Sequence, residues 1–231
     1  MKSLFILISF FAVSTPQIFS QTATKTEDVQ IWNDITVGFP LLKRKDKSEK
    51  VSFLLLGTFR GGDNLTRAID ERIGLGFDFV ANKYVTFSPS YIYRAGQNVP
   101  SGKDYEHRVR FDTTFNKKFT YFSIRDRNRI EYRIRNLRTD TFRYRNRFTI
   151  TVPVKKGKNE LFAPFVATEP FYDFRDKKWT RNEFSVGISK KFNNSVSADF
   201  YYLWQRNFQS TLKNVNVIGV NLKFKVDLLD K

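Results

Sequence analysis

The 231-residue chain has no cysteine, and only one histidine and one methionine. Without cysteine there is no disulfide, no thiolate metal ligand, no thiol nucleophile and no lipid-modified N-terminal cysteine. Phosphate loops, zinc-ligand spacings and dinucleotide fingerprints are likewise absent, so neither a cofactor nor a metal site is encoded by motif. Beyond residue 20 no stretch approaches the roughly 18 consecutive apolar residues of a membrane-spanning helix. Hydrophobic residues reach only 41%, below the roughly 45–50% of a domain with a thick two-sided core. Acids are scarce too: 23 Asp and Glu stand against 40 Lys and Arg, giving a net charge of +17 and a pI near 10.0.

Aromatic residues are the surplus, at 16%, with 25 Phe and 10 Tyr. A low apolar total with many aromatics fits strands that alternate between an apolar and a polar face. The first twenty residues stand apart. Lys2, the apolar run Leu4 to Val13, and Thr15, Pro16 and Ser20 before Gln21 have the layout of a secretory signal peptide. The expected organisation is a leader over 1–20 and one domain over 21–231, whose charge without Lys2 is +16. Export argues against nucleic acid as the partner of all this positive charge. The basic residues also lie on alternating faces rather than in one patch. Arg60-Gly61-Gly62 resembles a single RGG element, which reads as a turn.

The alternation is clearest between Arg127 and Arg147. Arg127, Arg129, Glu131, Arg133 and Arg135 interleave with Asn128, Ile130, Tyr132 and Ile134, and then Arg143, Arg145 and Arg147 oppose Phe142, Tyr144, Phe148 and Ile150, with Asn146 as a polar exception. A period of two means β-strand. The same period returns in segments beginning near Val29, Ile73, Val85, Tyr105, Val196 and Ile218, with Trp32 as an aromatic on a polar face. Val51 to Arg60 carries Leu54 and Leu56 on its polar face, and Leu161 to Tyr172 is apolar on both. Ala81-Asn82-Lys83, Asn116-Lys117-Lys118 and Asn193-Asn194 read as hairpin turns. Longer polar connections fall at Gly61 to Ala68, Ala95 to Lys103 and Pro153 to Glu160.

A soluble β-sandwich alternates as well. Against it stand apolar faces filled with Phe, Tyr, Val, Ile and Leu, and aromatics gathered at their ends: Tyr91, Tyr93 and Tyr105 at one rim, Phe39, Phe115 and Phe192 near the other. Rings collect at both membrane interfaces in transmembrane barrels. The predicted fold is therefore all-β, an antiparallel up-and-down transmembrane β-barrel in the bacterial outer membrane, with the short turns periplasmic. The count of alternating segments is eleven. A bacterial barrel with both termini in the periplasm needs an even number, so the reading is twelve strands, with ten as the alternative. The extra strand would come from a break near Arg125-Asp126 in the long stretch Phe119 to Arg135, or from residues before Val29.

These features carry a resemblance. Trp32, Glu106-His107-Arg108, Asp126-Arg127-Asn128-Arg129-Ile130-Glu131-Tyr132-Arg133 and Phe142-Arg143-Tyr144-Arg145 resemble a bacterial outer-membrane barrel family catalogued as domain of unknown function 2490. The resemblance spans about the whole mature chain and implies fold and location, but no activity. The strand at Gly219 to Phe224 is similar to the glycine-then-hydrophobic signal read by barrel-assembly machinery, departing from it at Leu222 and in ending before the C-terminus. The implied partners are outer-membrane lipids and that machinery.

With the polar face inside, Arg108, Arg110, Arg127, Arg129, Arg133, Arg135, Arg143, Arg145 and Arg147 crowd neighbouring strands. Buried cations need anionic partners, and the candidates are Glu106, Glu131, Glu169 and Glu183, with Asp78, Asp112 and Asp199. Two readings follow: a charge zipper that fills a structural barrel, with or without a bound small anionic solute, or an anion-preferring pore with uncompensated arginines. A third class, a lipid-hydrolysing barrel enzyme, rests on His107, whose parity matches the apolar Tyr105 and Val109. Ser90 lies on the opposite face and Ser101 in a loop, so a Ser–His pair is not evident.

Overall fold

A computed structural model describes residues 25–46, 48–96, 104–157, 159–227 and 229. The leader at 1–20, its cleavage point before Gln21, and Ser101 lie outside the described residues. The strands are β1 (Glu27–Lys43), β2 (Glu49–Gly62), β3 (Arg67–Val80), β4 (Val85–Gly96), β5 (Asp104–Lys118), β6 (Ser123–Arg135), β7 (Thr141–Thr151), β8 (Val154–Lys156), β9 (Asn159–Asp173), β10 (Lys178–Lys191), β11 (Val196–Asn207) and β12 (Asn214–Lys225). Each pairs with its sequence neighbour, except that β7 pairs with β9 rather than β8, and β12 pairs with β1, so the sheet closes on itself. The three-residue β8 is not a wall strand. Val154 faces Phe162 just past the Thr151–Phe165 pair; β8 thus extends the β7–β9 hairpin beyond Pro153, which has no N–H to donate to the ladder.

Twelve strands are present, but eleven form the wall, and this corrects the all-antiparallel expectation. The closing pair is parallel, in continuous register from Glu27–Asn214 to Gly38–Lys225. Parallel ladders satisfy backbone N–H and C=O groups as antiparallel ones do, so an odd wall closes without an edge. Glu27 and Lys225 consequently stand at opposite rims. One rim, the loop rim, carries the connections around 63–66, 136–140, 174–177 and 208–213, and the other, the turn rim, those around 44–48, 81–84, 119–122 and 192–195.

Two turns are where their chemistry places them. The Asn82 side chain accepts from the amides of Tyr84 and Val85, and the Asn193 side chain from those of Ser195 and Val196. Asn116–Lys118 is instead the end of β5, and the turn is Phe119–Phe122, closed by a backbone bond (2.8 Å) and a 4.6 Å ring stack. That turn takes up the surplus of the Phe119 to Arg135 stretch, and β6 runs unbroken through Arg125-Asp126. Gly61, Gly62, Arg67 and Ala68 belong to strands, leaving a tight loop in which Asp63, Asn64 and Leu65 all have left-handed φ (56°, 54° and 69°). This conformation costs roughly 1–2 kcal/mol per residue. Asp28 offsets the cost by accepting from the amides of Asp63 (3.1 Å) and Asn64 (2.8 Å), which ties the start of β1 to the loop.

The alternation sorts side chains as the period demands. Ile73, Val109, Phe111, Ile130 and Ile218 are exposed on the outside, while Arg129, Glu131, Glu106 and Glu169 are buried within. Outward aromatics ring both rims: Tyr93, Tyr105, Phe142 and Trp179 at the loop rim, Tyr84, Phe115, Phe119 and Phe192 at the turn rim. The two irregular segments find their reason inside. Leu54 and Leu56 face the lumen, and β9 points Ala163, Phe165, Ala167 and Phe171 inward. Together Trp32, Phe165, Tyr201, Leu203, Val215 and Val217 form an apolar sector within the lumen. The Tyr201 ring lies so close to Gly219 that a Cβ there would stand 2.1 Å from it.

Candidate functional site

Like charges face each other directly across neighbouring strands: Arg127 against Arg147, Arg129 against Arg145, Glu169 against Glu183. Such pairs repel, so their counter-ions must come from elsewhere around the lumen, and they do. Glu169, 1% exposed, meets Arg127 and Arg145 at 2.7 Å and Arg147 at 3.3 Å. Glu106 meets Arg133 at 2.6 Å, Arg108 at 2.7 Å and Arg94 at 3.5 Å. Glu131, fully buried, takes a close hydrogen bond from Arg143 and has Arg133 at 3.9 Å and Arg145 at 4.0 Å. Asp112 forks onto Arg129 through two 2.6 Å bonds, the bidentate geometry that gives Arg–carboxylate pairs their strength.

Other candidates are placed differently. Arg135 turns to the Thr139 carbonyl instead of joining the ladder. Glu183 has Arg181 at 3.6 Å as its ion-pair partner. Asp78 accepts from the Ser88 hydroxyl (2.5 Å), and Asp199 pairs with Lys223 (2.7 Å) near the turn rim. Arg110 has the Ser90 hydroxyl at 3.1 Å as its hydrogen-bond partner.

Parity reasoning overlooked three features. Asp70 binds Arg72 (2.5 Å) and Arg94 (3.0 Å), and Arg94 reaches Asp104 (3.0 Å), which carries the network on to β3. The same-face spacings of Asp70 with Arg72 and of Asp104 with Glu106 were the available signal. The Phe171 ring sits among the guanidiniums of Arg145, Arg143 and Arg181, at 4.3, 5.1 and 5.5 Å; cations are drawn to a ring face. Arg60 likewise stacks on Trp32 at 3.5 Å.

The network and the remaining space divide the lumen along its axis. Along β6, Arg125 is exposed, Arg127 half-buried, Arg129 buried and Glu131 fully buried. From the turn rim inward, therefore, the interior closes. A cavity of about 490 Å³ occupies that half, lined by Arg60, Arg110, Arg125, Arg127 and Arg147, by Asn116 to Lys118 and Lys223 near the rim, and by Leu56, Phe165 and Tyr201. Toward the loop rim, the carboxylates of Asp70, Asp104, Glu106 and Glu131 are buried and pair with arginines of neighbouring strands.

His107 lies outside this system. Its Nδ1 is 2.5 Å from the Tyr91 hydroxyl, and its ring packs 5.5 Å from that of Tyr93. Ser90, one residue from Tyr91, faces inward to Arg110, so its hydroxyl lies on the opposite side of the wall from the imidazole.

A closed all-β barrel with a charge-networked interior is the class that this fold and lumen define. Residues 29–216 match the family described as "Protein of unknown function (DUF2490)", and the chain belongs to that family. A search of curated proteins finds no match. Among solved structures, LpxR from Salmonella typhimurium is similar at 10% identity and a TM-score of 0.46, over 72% of this chain and 80% of that one.

Proposed function

We propose that the protein is an integral barrel of the bacterial outer membrane, exported by a cleaved leader. Its lumen is closed at the loop rim by the arginine–carboxylate network and open at the turn rim as a blind vestibule for a small anionic solute. The observation that carries the location is the outer surface. Exposed Phe, Tyr, Ile, Leu and Val continue around the wall between two aromatic rings, far beyond the few hundred Å² of contiguous apolar patch that a soluble monomer exposes. Wall strands of 11 to 17 residues exceed the roughly 9–11 needed to cross a bilayer. Outer-membrane lipids cover that surface in this reading, and barrel-assembly machinery inserts it.

The burial maximum at Glu131 supports a plug rather than an anion-preferring pore, since a conducting path would leave its arginines wet. Among the described residues His107 is hydrogen-bonded to Tyr91 rather than to a serine, which weighs against the lipid-hydrolase alternative. Planar-bilayer recordings of the purified protein are the test. Silence is expected, and stable anion-selective steps would replace the plug with the pore.

A further inference from the structure

We propose that the turn-rim cavity binds an amphiphilic anion, an organic phosphate or carboxylate whose head group is carried on an aromatic or hydrocarbon body. This rests on the vestibule reading above and specifies its ligand. The cationic wall comes first. Whereas Arg127, Arg129, Arg145 and Arg147 are claimed by Glu169 or Asp112, Arg60, Arg110 and Arg125 also line the cavity and have no carboxylate within 4.0 Å among the described residues. The Nε–H of Arg60 is moreover buried with no acceptor. Unpaired guanidiniums gathered on one enclosed space are what an anionic head group satisfies, through charge-assisted hydrogen bonds.

Apolar side chains in the same lining fix the rest of the ligand. Leu56, Phe165 and Tyr201 line the same cavity. A bare inorganic anion would leave that surface in contact with water, whereas a ligand with an apolar body removes it from water and gains accordingly. The closed inner end allows the body to be buried on several sides. A volume of about 490 Å³ falls within the roughly 300–1,000 Å³ typical of small-molecule sites.

The test is calorimetric titration of the full mature chain in nanodiscs with 1-naphthyl phosphate and, separately, with inorganic phosphate. Saturable binding of naphthyl phosphate is expected, with inorganic phosphate roughly tenfold or more weaker. Arg125→Gln and Arg110→Gln should each weaken naphthyl phosphate by about tenfold, the usual effect of losing a hydrogen bond to a charged group. Arg125 is exposed and makes no ion pair among the described residues, so that variant keeps the barrel's fold and isolates the binding effect. Leu56→Ala should weaken naphthyl phosphate and leave inorganic phosphate unchanged. Equal affinities for the two probes would overturn the amphiphilic class, and the absence of saturation, or an Arg125→Gln variant that binds as well as the parent, would overturn the site. Conductance in a bilayer would refute the blind vestibule separately, because the titration reads the ligand class whether or not the lumen conducts.

Discussion

Replacing Glu169 by Gln removes the counter-ion that three arginines share. The glutamate is 1% exposed and holds Arg127, Arg145 and Arg147 at 2.7, 2.7 and 3.3 Å. Gln keeps the shape but loses the charge, and its amide offers one acceptor oxygen where the carboxylate offered two. Arg127 and Arg147, which face each other across β6 and β7, would then repel without the anion they share. Breaking a buried ion pair by removing one partner costs about 3–5 kcal/mol. For a domain of this size, each kcal/mol corresponds to roughly 2–4 °C, so Tm should fall by roughly 6–20 °C. The assay is heat modifiability, scoring the folded band on unboiled gels against temperature. Glu169→Gln with Arg147→Gln should recover part of the loss, because the uncompensated cation goes with its partner. Glu131→Gln should be milder, since one close arginine and two at 3.9 and 4.0 Å lose less. Asp176→Asn, in the exposed Arg175–Asp176 pair, should leave Tm unchanged. A Glu169→Gln shift no larger than this control would refute the plug. If the same variant altered ion selectivity instead, the arginines would be solvated, as in a pore.

Arg placed at the outward Phe111 should cost roughly 2–4 kcal/mol and impair insertion, whereas Arg at the lumen-lining Thr149 should insert normally; equal folded fractions on gels would overturn the assignment of faces. Gly76 is no control for this, since a Cβ there would stand 2.8 Å from Ser90. The parallel seam predicts that Glu27→Cys and Val226→Cys, made singly in this cysteine-free chain, react from opposite sides of the membrane with an impermeant maleimide; labelling from the same side would dissolve the seam. Asp63 in the β2–β3 loop has its carboxyl held below the usual range by the hydrogen bond from Lys25, 2.8 Å away. A depressed carboxyl pKa stabilises the fold above the unfolded value of about 3.9 and loses that contribution as pH falls through the folded value. A spin label at Leu65 should thus stay ordered at pH 5 and loosen only in stronger acid. Lys25→Ala should raise the pH at which it loosens, and a transition unmoved by that change would exclude the tie.

Strand positions and face orientation were legible because alternation is local: a residue's parity depends only on its own strand. Arg129, Glu131, Arg143 and Arg145 needed nothing further to be placed on one face. Which acid each arginine meets depends on how the strands are staggered around the barrel, and single-strand patterns do not carry that. Hence Arg135 was expected on the ladder but reaches the loop carbonyl of Thr139, and Glu183 pairs with Arg181. The turn at Phe119–Phe122 escaped notice because it is held by stacked rings, without Asn or Gly at its centre, while Asn116 offered turn chemistry inside a strand.

The strand total is twelve, as expected, but it is reached as eleven wall strands and the extra β8. Direct reading of the alternation gave eleven wall segments, and the step to twelve came from where the termini of bacterial barrels usually stand. That expectation concerns insertion, whereas closure requires only that each edge N–H and C=O find a partner, which β12 and β1 achieve in parallel. The apolar sector was hidden for a related reason. Phe165, Tyr201, Leu203, Val215 and Val217 lie on inward parities, yet as hydrophobic residues they read as departures from the pattern. They gather beside the seam, where Trp32 of β1 joins them, and Arg60 stacks on its ring. The lumen is thus zoned around its circumference as well as along its axis: ion pairs where β3 to β10 supply both signs, and packed hydrocarbon where β11, β12 and β1 meet.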